Sequence, residues 1–230
     1  MLRRNFLLTT TALLAPNLLK AGSWTVPGME IWFLMDASGS VYKKHKNEPQ
    51  HYLIQMSGHI EALADQEVRR ALKDWRAVVH VAVWAGPGTP YKITPKEGVY
   101  IYRESDVDVV SEAIRTGIPL EALQDRQTYH VAPLEFVARF KRHQYAKLVI
   151  DLATDEGLSP RFTRRMSQIR NRLIAANGEI NVFAVALRNN PVAFKSLEDN
   201  VRTGFILHGD YGADYGKGLK RKMLLELQAT

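Results

Sequence analysis

The chain has 230 residues, a net charge of +7, 46% hydrophobic residues and no cysteine. That length suits one α/β domain with a real core behind a short leader, and the lack of cysteine excludes a disulfide scaffold and thiol chemistry. Arg3, Arg4 and Lys20 lie in the first 21 residues, so the rest keeps 28 of the 31 basic residues against 24 acidic ones, a balance of about +4 that is too mild to argue for nucleic acid.

Residues 1–21 read as an export signal. A basic start, Met1-Leu2-Arg3-Arg4, leads into a modestly apolar stretch that runs to Leu19. The order Arg3-Arg4-Asn5-Phe6-Leu7 resembles a twin-arginine signal, which carries folded proteins. Thr9, Thr10 and Thr11 dilute the apolar stretch, and Lys20 sits near the expected cut; both suit that route. Leu19-Lys20-Ala21 is a poor cleavage site, which leaves an uncleaved anchor as the alternative, although the stretch is short for a span. The expected location is the periplasm or the exterior.

Residues 28–230 read as one domain in which strands alternate with helices. Ile31-Trp32-Phe33-Leu34-Met35 is a buried strand. Leu53, Met56, Ile60 and Leu63 recur at helical spacing over 48–64. Asp65 caps a second helix carrying Val68, Leu72 and Trp75. Val78 to Trp84 is a strand, broken by Gly86-Pro87-Gly88, and Val99 to Tyr102 is another. Ser105 with Asp108 forms a capping pattern before Val109, Val110, Ala113 and Ile114, and Gly117 and Pro119 end that helix. Val131, Leu134, Val137 and Phe140 mark the next. Leu148 to Ala153 is a buried strand. Ser159-Pro160 starts a helix with Phe162, Met166, Ile169 and Leu173 on its apolar face, stopped by Asn177-Gly178. Ile180 to Leu187 and Phe205 to Leu207 are strands, and Leu219, Met223, Leu224 and Leu227 make a closing amphipathic helix. This alternation predicts a doubly wound α/β fold with a mostly parallel central sheet and helices on both faces.

In such sheets ligands sit beyond the carboxyl ends of the strands. One strand runs into Asp36-Ala37-Ser38-Gly39-Ser40, another into Thr154-Asp155-Glu156-Gly157, and Thr128 precedes a helix between them. Carboxylates and hydroxyls are the ligands of hard cations. Asp36, Ser38, Ser40, Thr128 and Asp155 are therefore the candidate metal ligands, with Mg2+ as the expected ion and Mn2+ or Ca2+ as the alternatives. A shell rich in neutral hydroxyls leaves the cation electrophilic and ready to take an acidic side chain from outside.

Asp36-x-Ser38-x-Ser40, Thr128 and Asp155 together resemble the metal-ion-dependent adhesion site (MIDAS) of von Willebrand factor A (VWA) domains. That resemblance covers nearly the whole chain after the leader. It implies a Rossmann-like VWA fold, a cation held by three hydroxyls and two aspartates, and a last coordination position for a partner's carboxylate. Ile180-Asn181-Val182-Phe183-Ala184-Val185, Asn200-Val201-Arg202-Thr203-Gly204-Phe205 and Lys220-Arg221-Lys222-Met223-Leu224-Leu225-Glu226 are similar to a narrower group, the bacterial exported domain of unknown function 1194, which implies no established activity. The chain departs from the pattern at Gln127, where Gly is usual, at Glu156, which separates Asp155 from Gly157, and at Lys43, Lys44 and Lys46.

The expected function is a non-enzymatic protein-binding module. The alternatives are a metal-dependent hydrolase or phosphoryl-transfer enzyme using Asp36 or Ser38, and a scaffold with an empty site. No general base is paired with Ser38 in the sequence, and position 38 breaks an Asp-x-Asp phosphatase pattern. His80, Trp75 and Trp84 read as core or edge residues, and His130 is close in sequence to Thr128. Arg161, Arg164, Arg165, Arg170 and Arg172 crowd one helix, either as its solvated face or as a patch for an anionic partner.

Overall fold

The fold was obtained as a computed structural model that describes residues 26–39, 41, 50–117, 128–140 and 146–228. The leader, Ser40, Lys43, Lys44, Lys46 and Gln127 lie outside the described residues. In chain order the elements are β1 (Met29–Asp36), α1 (Gln50–Ala64), α2 (Gln66–Asp74), β2 (Val78–Trp84), β3 (Tyr91–Lys92), β4 (Val99–Tyr100), α3 (Val107–Thr116), α4 (Val131–Arg139), β5 (Lys147–Thr154), α5 (Thr163–Ala175), β6 (Gly178–Val185), α6 (Pro191–Asn200), β7 (Ile206–Gly209) and α7 (Tyr215–Gln228). The strands form one sheet in the order β3-β2-β1-β5-β6-β7, with β4 also beside β2. β2, β1, β5, β6 and β7 run parallel, whereas β3 and β4 pair antiparallel to β2. This is the doubly wound, mostly parallel α/β architecture.

Helices on both faces explain the unbroken apolar run of β1, which is buried along its whole length. Ile31, Phe33 and Met35 face one core, with Tyr52, Leu63, Leu72, Val110 and Met223 from α1, α2, α3 and α7. Trp32 and Leu34 face the other, with Leu134, Met166, Ile169 and Leu197 from α4, α5 and α6. His80 is a core residue, stacked on Trp32 at 4.2 Å between ring centroids. Trp84 is buried, and Trp75 packs against the first core with its indole N–H donated to Leu227 O at 2.7 Å.

Local chemistry sets the element ends. Asp65 caps α2 by accepting from Glu67 N at 2.9 Å and Val68 N at 3.4 Å. Asn177 takes the left-handed conformation (φ 57°) that ends the α5 segment. At α3 the cap position is held by Asp106 rather than the expected Ser105, and its side chain makes no bond to the helix. A 3-10 turn over Glu104–Asp106 precedes the helix, and Asp106 accepts from Tyr102 N and Arg103 N. Helix α6 went unforeseen. Asn190 caps it by accepting from Ala193 N at 3.1 Å and Pro191 opens it, but Leu197 is its single buried residue, so no apolar period announces it.

β5 also carries an acid into the core beneath α7. Asp151 lies level with Phe33 and Asn181 on the neighbouring strands. Lys222 meets it at 2.8 Å and meets Glu226, one turn along α7, at 2.5 Å; all three side chains are fully buried. Burial, and then the Asp151 charge, push the Glu226 carboxyl up to about 8. Burial holds the neighbouring His59 imidazole below its ordinary range. α7 also crosses α1 closely: a Cβ on Gly58 would come within 2.3 Å of the Tyr215 ring.

Candidate metal centre

The topology creates the crevice. β1 leads by way of α1 and α2 to β2 on one side, whereas β5, paired with β1, leads by way of α5 to β6 on the other. The connections leaving β1 and β5 therefore part at their carboxyl ends, which opens a switch-point crevice. Asp36 and Thr154 end these strands, each two residues beyond the Leu34–Leu152 pair. They share parity with Leu34 and Leu152, so they lie on the face covered by α4.

Asp36 is fully buried. Its Oδ1 accepts from Ser38 N at 2.8 Å and its Oδ2 from Thr154 Oγ1 at 3.0 Å. Ala37 N donates to Trp84 O at 2.8 Å, which extends the β1–β2 ladder by one bond and fixes where the loop departs. From the opposite face of the sheet, Gln55 Nε2 donates to Asp36 O at 3.1 Å and to Tyr211 Oη at 3.2 Å. Tyr211 stacks in turn on His51. Thr128 donates its hydroxyl to Ser38 Oγ at 2.9 Å. It stands three residues ahead of α4, so its role is contact with the loop rather than capping that helix.

Asp155 is the second carboxylate. It is 8% exposed, and its charge reaches Asp36. Burial, and then that charge, push the Asp36 carboxyl up to about 8. Burial, and then the same aspartate, push the Tyr211 phenol up. Two carboxylates in a dry crevice disfavour each other's charge. Asp36, Ser38, Thr128 and Asp155 are thus brought to one crevice, and Ser40 lies outside the described residues. The donor set is all oxygen, which suits a hard divalent cation, and a cation's charge would relieve the carboxylate repulsion. Among the described residues there is no metal-binding group of three or more His, Cys, Asp or Glu; the hydroxyls are what would complete a shell here.

His130, close in sequence to Thr128 and able to line the site, does support it; Thr154, Gln55 and Tyr211 support it too and were not foreseen as its residues. His130 Nε2 lies 3.0 Å from Thr154 Oγ1. With Asp36 ionised, the one hydroxyl proton of Thr154 goes to Asp36, which makes His130 the donor to Thr154. Burial pushes the His130 imidazole down to about 4, so it stays neutral and serves to orient. Thr154 was legible in principle, because it ends β5 immediately before Asp155; Gln55 and Tyr211 carry no signal at sequence level. Thr154→Val removes the donor to Asp36 while keeping the shape. It is expected to weaken Mg2+ binding about 10–100-fold with an unchanged far-ultraviolet spectrum; equal affinity by calorimetric titration would show that Thr154 has no part in holding Asp36.

The sheet order, the two helical layers and the crevice define a VWA-like domain. Solved structures of that shape agree. The SpRpn10 VWA domain is 8% identical with a TM-score of 0.56, over 84% of this chain and 94% of that one. Proximal thread matrix protein 1 from the mussel byssus is 13% identical with a TM-score of 0.56, over 85% and 47%. The PilB minor pilin of Streptococcus sanguinis is 12% identical with a TM-score of 0.57, over 87% and 62%. The chain thus spans about half the length of the mussel protein, and at such identities the likeness shows fold alone. The chain belongs to the family described as protein of unknown function (DUF1194), whose profile matches residues 27–230. No curated protein matches it by sequence.

Proposed function

We propose that this protein is an exported, non-enzymatic binding module. Asp36, Ser38, Ser40, Thr128 and Asp155 hold a divalent cation, Mg2+ first, that captures an acidic side chain of a protein partner. The observation that carries this reading is the fully buried Asp36 carboxylate, beside Asp155 and within a cluster of hydroxyls from Ser38, Thr128 and Thr154. A hydrolase would need a general base free to take the Ser38 proton; His130, held near 4, is hydrogen-bonded to Thr154 instead, and in this reading Asp36 is taken up as a ligand of the cation. Export rests on the twin-arginine-like leader. No described helix is long and apolar enough to cross a membrane.

The test is capture from a cell-envelope extract on immobilised protein. Partner retention is expected in Mg2+, lost in chelator, restored by Mg2+, and abolished when the extract's carboxylates are amidated beforehand. Retention indifferent to chelator or to amidation sinks the reading. Fractionation of cells supplies the export arm: the wild type should leave the cytoplasm and Arg3→Lys/Arg4→Lys should stay there.

A further inference from the structure

A groove of about 410 Å³ adjoins the crevice, lined by Pro87, Tyr129, Glu135, Phe136, Arg139 and Arg165 among others. Its link to the crevice is covalent: Thr128 touches Ser38, and the next residue, Tyr129, lines the groove. The groove is cationic. Glu135 is only 14% exposed and receives three guanidinium groups: Arg165 at 2.5 Å, Arg139 at 2.6 Å and Arg172 at 3.9 Å. Within the lining itself, two arginines against one carboxylate leave an excess of one positive charge, and Arg172 adds another behind it. Arg139 and Arg165 are 69% and 52% exposed, and each uses part of its five-donor fork on Glu135. Arg165 also reaches Tyr129 Oη at 3.4 Å. Glu135 therefore holds the two forks in place and leaves their remaining donors facing water. Preorganised guanidinium groups of this kind suit a planar carboxylate, because little side-chain freedom remains to be lost on binding.

We infer that this groove takes a second carboxylate of the same partner segment, so that the occupant is a short acidic stretch of protein rather than a lone Asp or Glu. This rests on the reading of the crevice as a cation-dependent capture site. The first acidic side chain reaches the crevice, and a neighbouring one in the same segment lies between Arg139 and Arg165. Pro87 and Phe136 supply apolar surface for the methylene groups between them. Concavity favours a chain segment over a bilayer, since a flat headgroup layer cannot enter a groove whose charge lies along its lining. The arginine-rich face of α5 thereby divides: Arg165 and Arg172 turn to Glu135, while Arg170 donates to Asp199 O.

The test uses the full chain with two fluorescent probes. One is acetylated hexaglutamate, the other a peptide of equal length with a single Glu among Ser and Gly. In Mg2+ the wild type is expected to bind hexaglutamate at least about tenfold more tightly than the single-Glu peptide. Arg139→Gln/Arg165→Gln is expected to abolish that margin and leave the single-Glu affinity unchanged, with a cooperative thermal melt showing that the variant is folded. Equal binding of hexaglutamate by wild type and variant overturns the groove while leaving the cation site standing. Arginine-dependent hexaglutamate binding that persists in chelator, with no single-Glu binding in Mg2+, supports the groove and defeats the cation reading. Arginine-dependent sedimentation with phosphatidylglycerol vesicles, with neither peptide bound, overturns the proposal in favour of a lipid surface.

Discussion

Lys222→Met is expected to lower the unfolding free energy by about 3–5 kcal/mol, because removing one partner of a buried ion cluster leaves uncompensated charge. Lys222 is the cation between Asp151 and Glu226, and none of the three side chains reaches solvent. Methionine keeps the length and packing of the side chain, so the loss reports charge and not volume. Urea titration in chelator measures it; a loss under about 1 kcal/mol would mean that Lys222 compensates no buried charge. The same cluster sets a pH dependence. The Glu226 carboxyl stands at about 8 in the fold against an ordinary 4.5, so the folded protein holds a proton that the unfolded chain releases. That contribution is full below the ordinary value and is lost as pH rises through about 8. Asp151, Lys222, Asn181 and His59 are the groups around it. Asp36 is shifted in the same direction, so the comparison belongs on an Asp36→Asn background. There, stability is expected to fall between pH 6 and pH 9, and a further Glu226→Gln is expected to flatten the fall.

Asp36→Asn should move binding and stability in opposite directions. In the proposed site Asp36 is a buried anionic ligand, and its loss is expected to weaken Mg2+ binding by more than about 100-fold. Without cation Asp36 holds a proton up to about pH 8, so the variant is expected to match the wild type in stability below that pH and to exceed it above, where the wild type must bury a charge that Asp155 opposes. Asparagine is close to isosteric: its oxygen can still accept from Ser38 N, and its amide can donate to Thr154 Oγ1, whose own proton is then released to another acceptor. Thermal melts with and without Mg2+ check both halves, since a ligand that binds only the folded state raises the melting temperature. The wild type should be stabilised by Mg2+ and the variant should not. Equal stabilisation of the two would place any Mg2+ site elsewhere.

The sequence by itself determined the parallel strands and the class of fold, and it marked polar residues that meet at the crevice; the short β3 at Tyr91–Lys92 it did not mark. The run from Ile31 to Met35, covered on both faces, had to be apolar throughout, and Asp36, Ser38 and Asp155 announce themselves as polar residues breaking out of such runs. Asp65 and Asn177 likewise fix their helix ends by local hydrogen bonding and backbone preference, which neighbouring residues suffice to specify. Tertiary structure decided the rest. Helix α6 buries one side chain, too few to leave a period. Thr154 becomes a support for Asp36 only because β1 and β5 are neighbours in register, and Gln55 and Tyr211 only because α1 and the segment after β7 meet at the same strand end. Lys222 and Glu226 read as the polar face of an amphipathic helix until Asp151 is seen beneath them. In each case the deciding partner lies far away in sequence, and its distance is set by strand order, which no local pattern encodes.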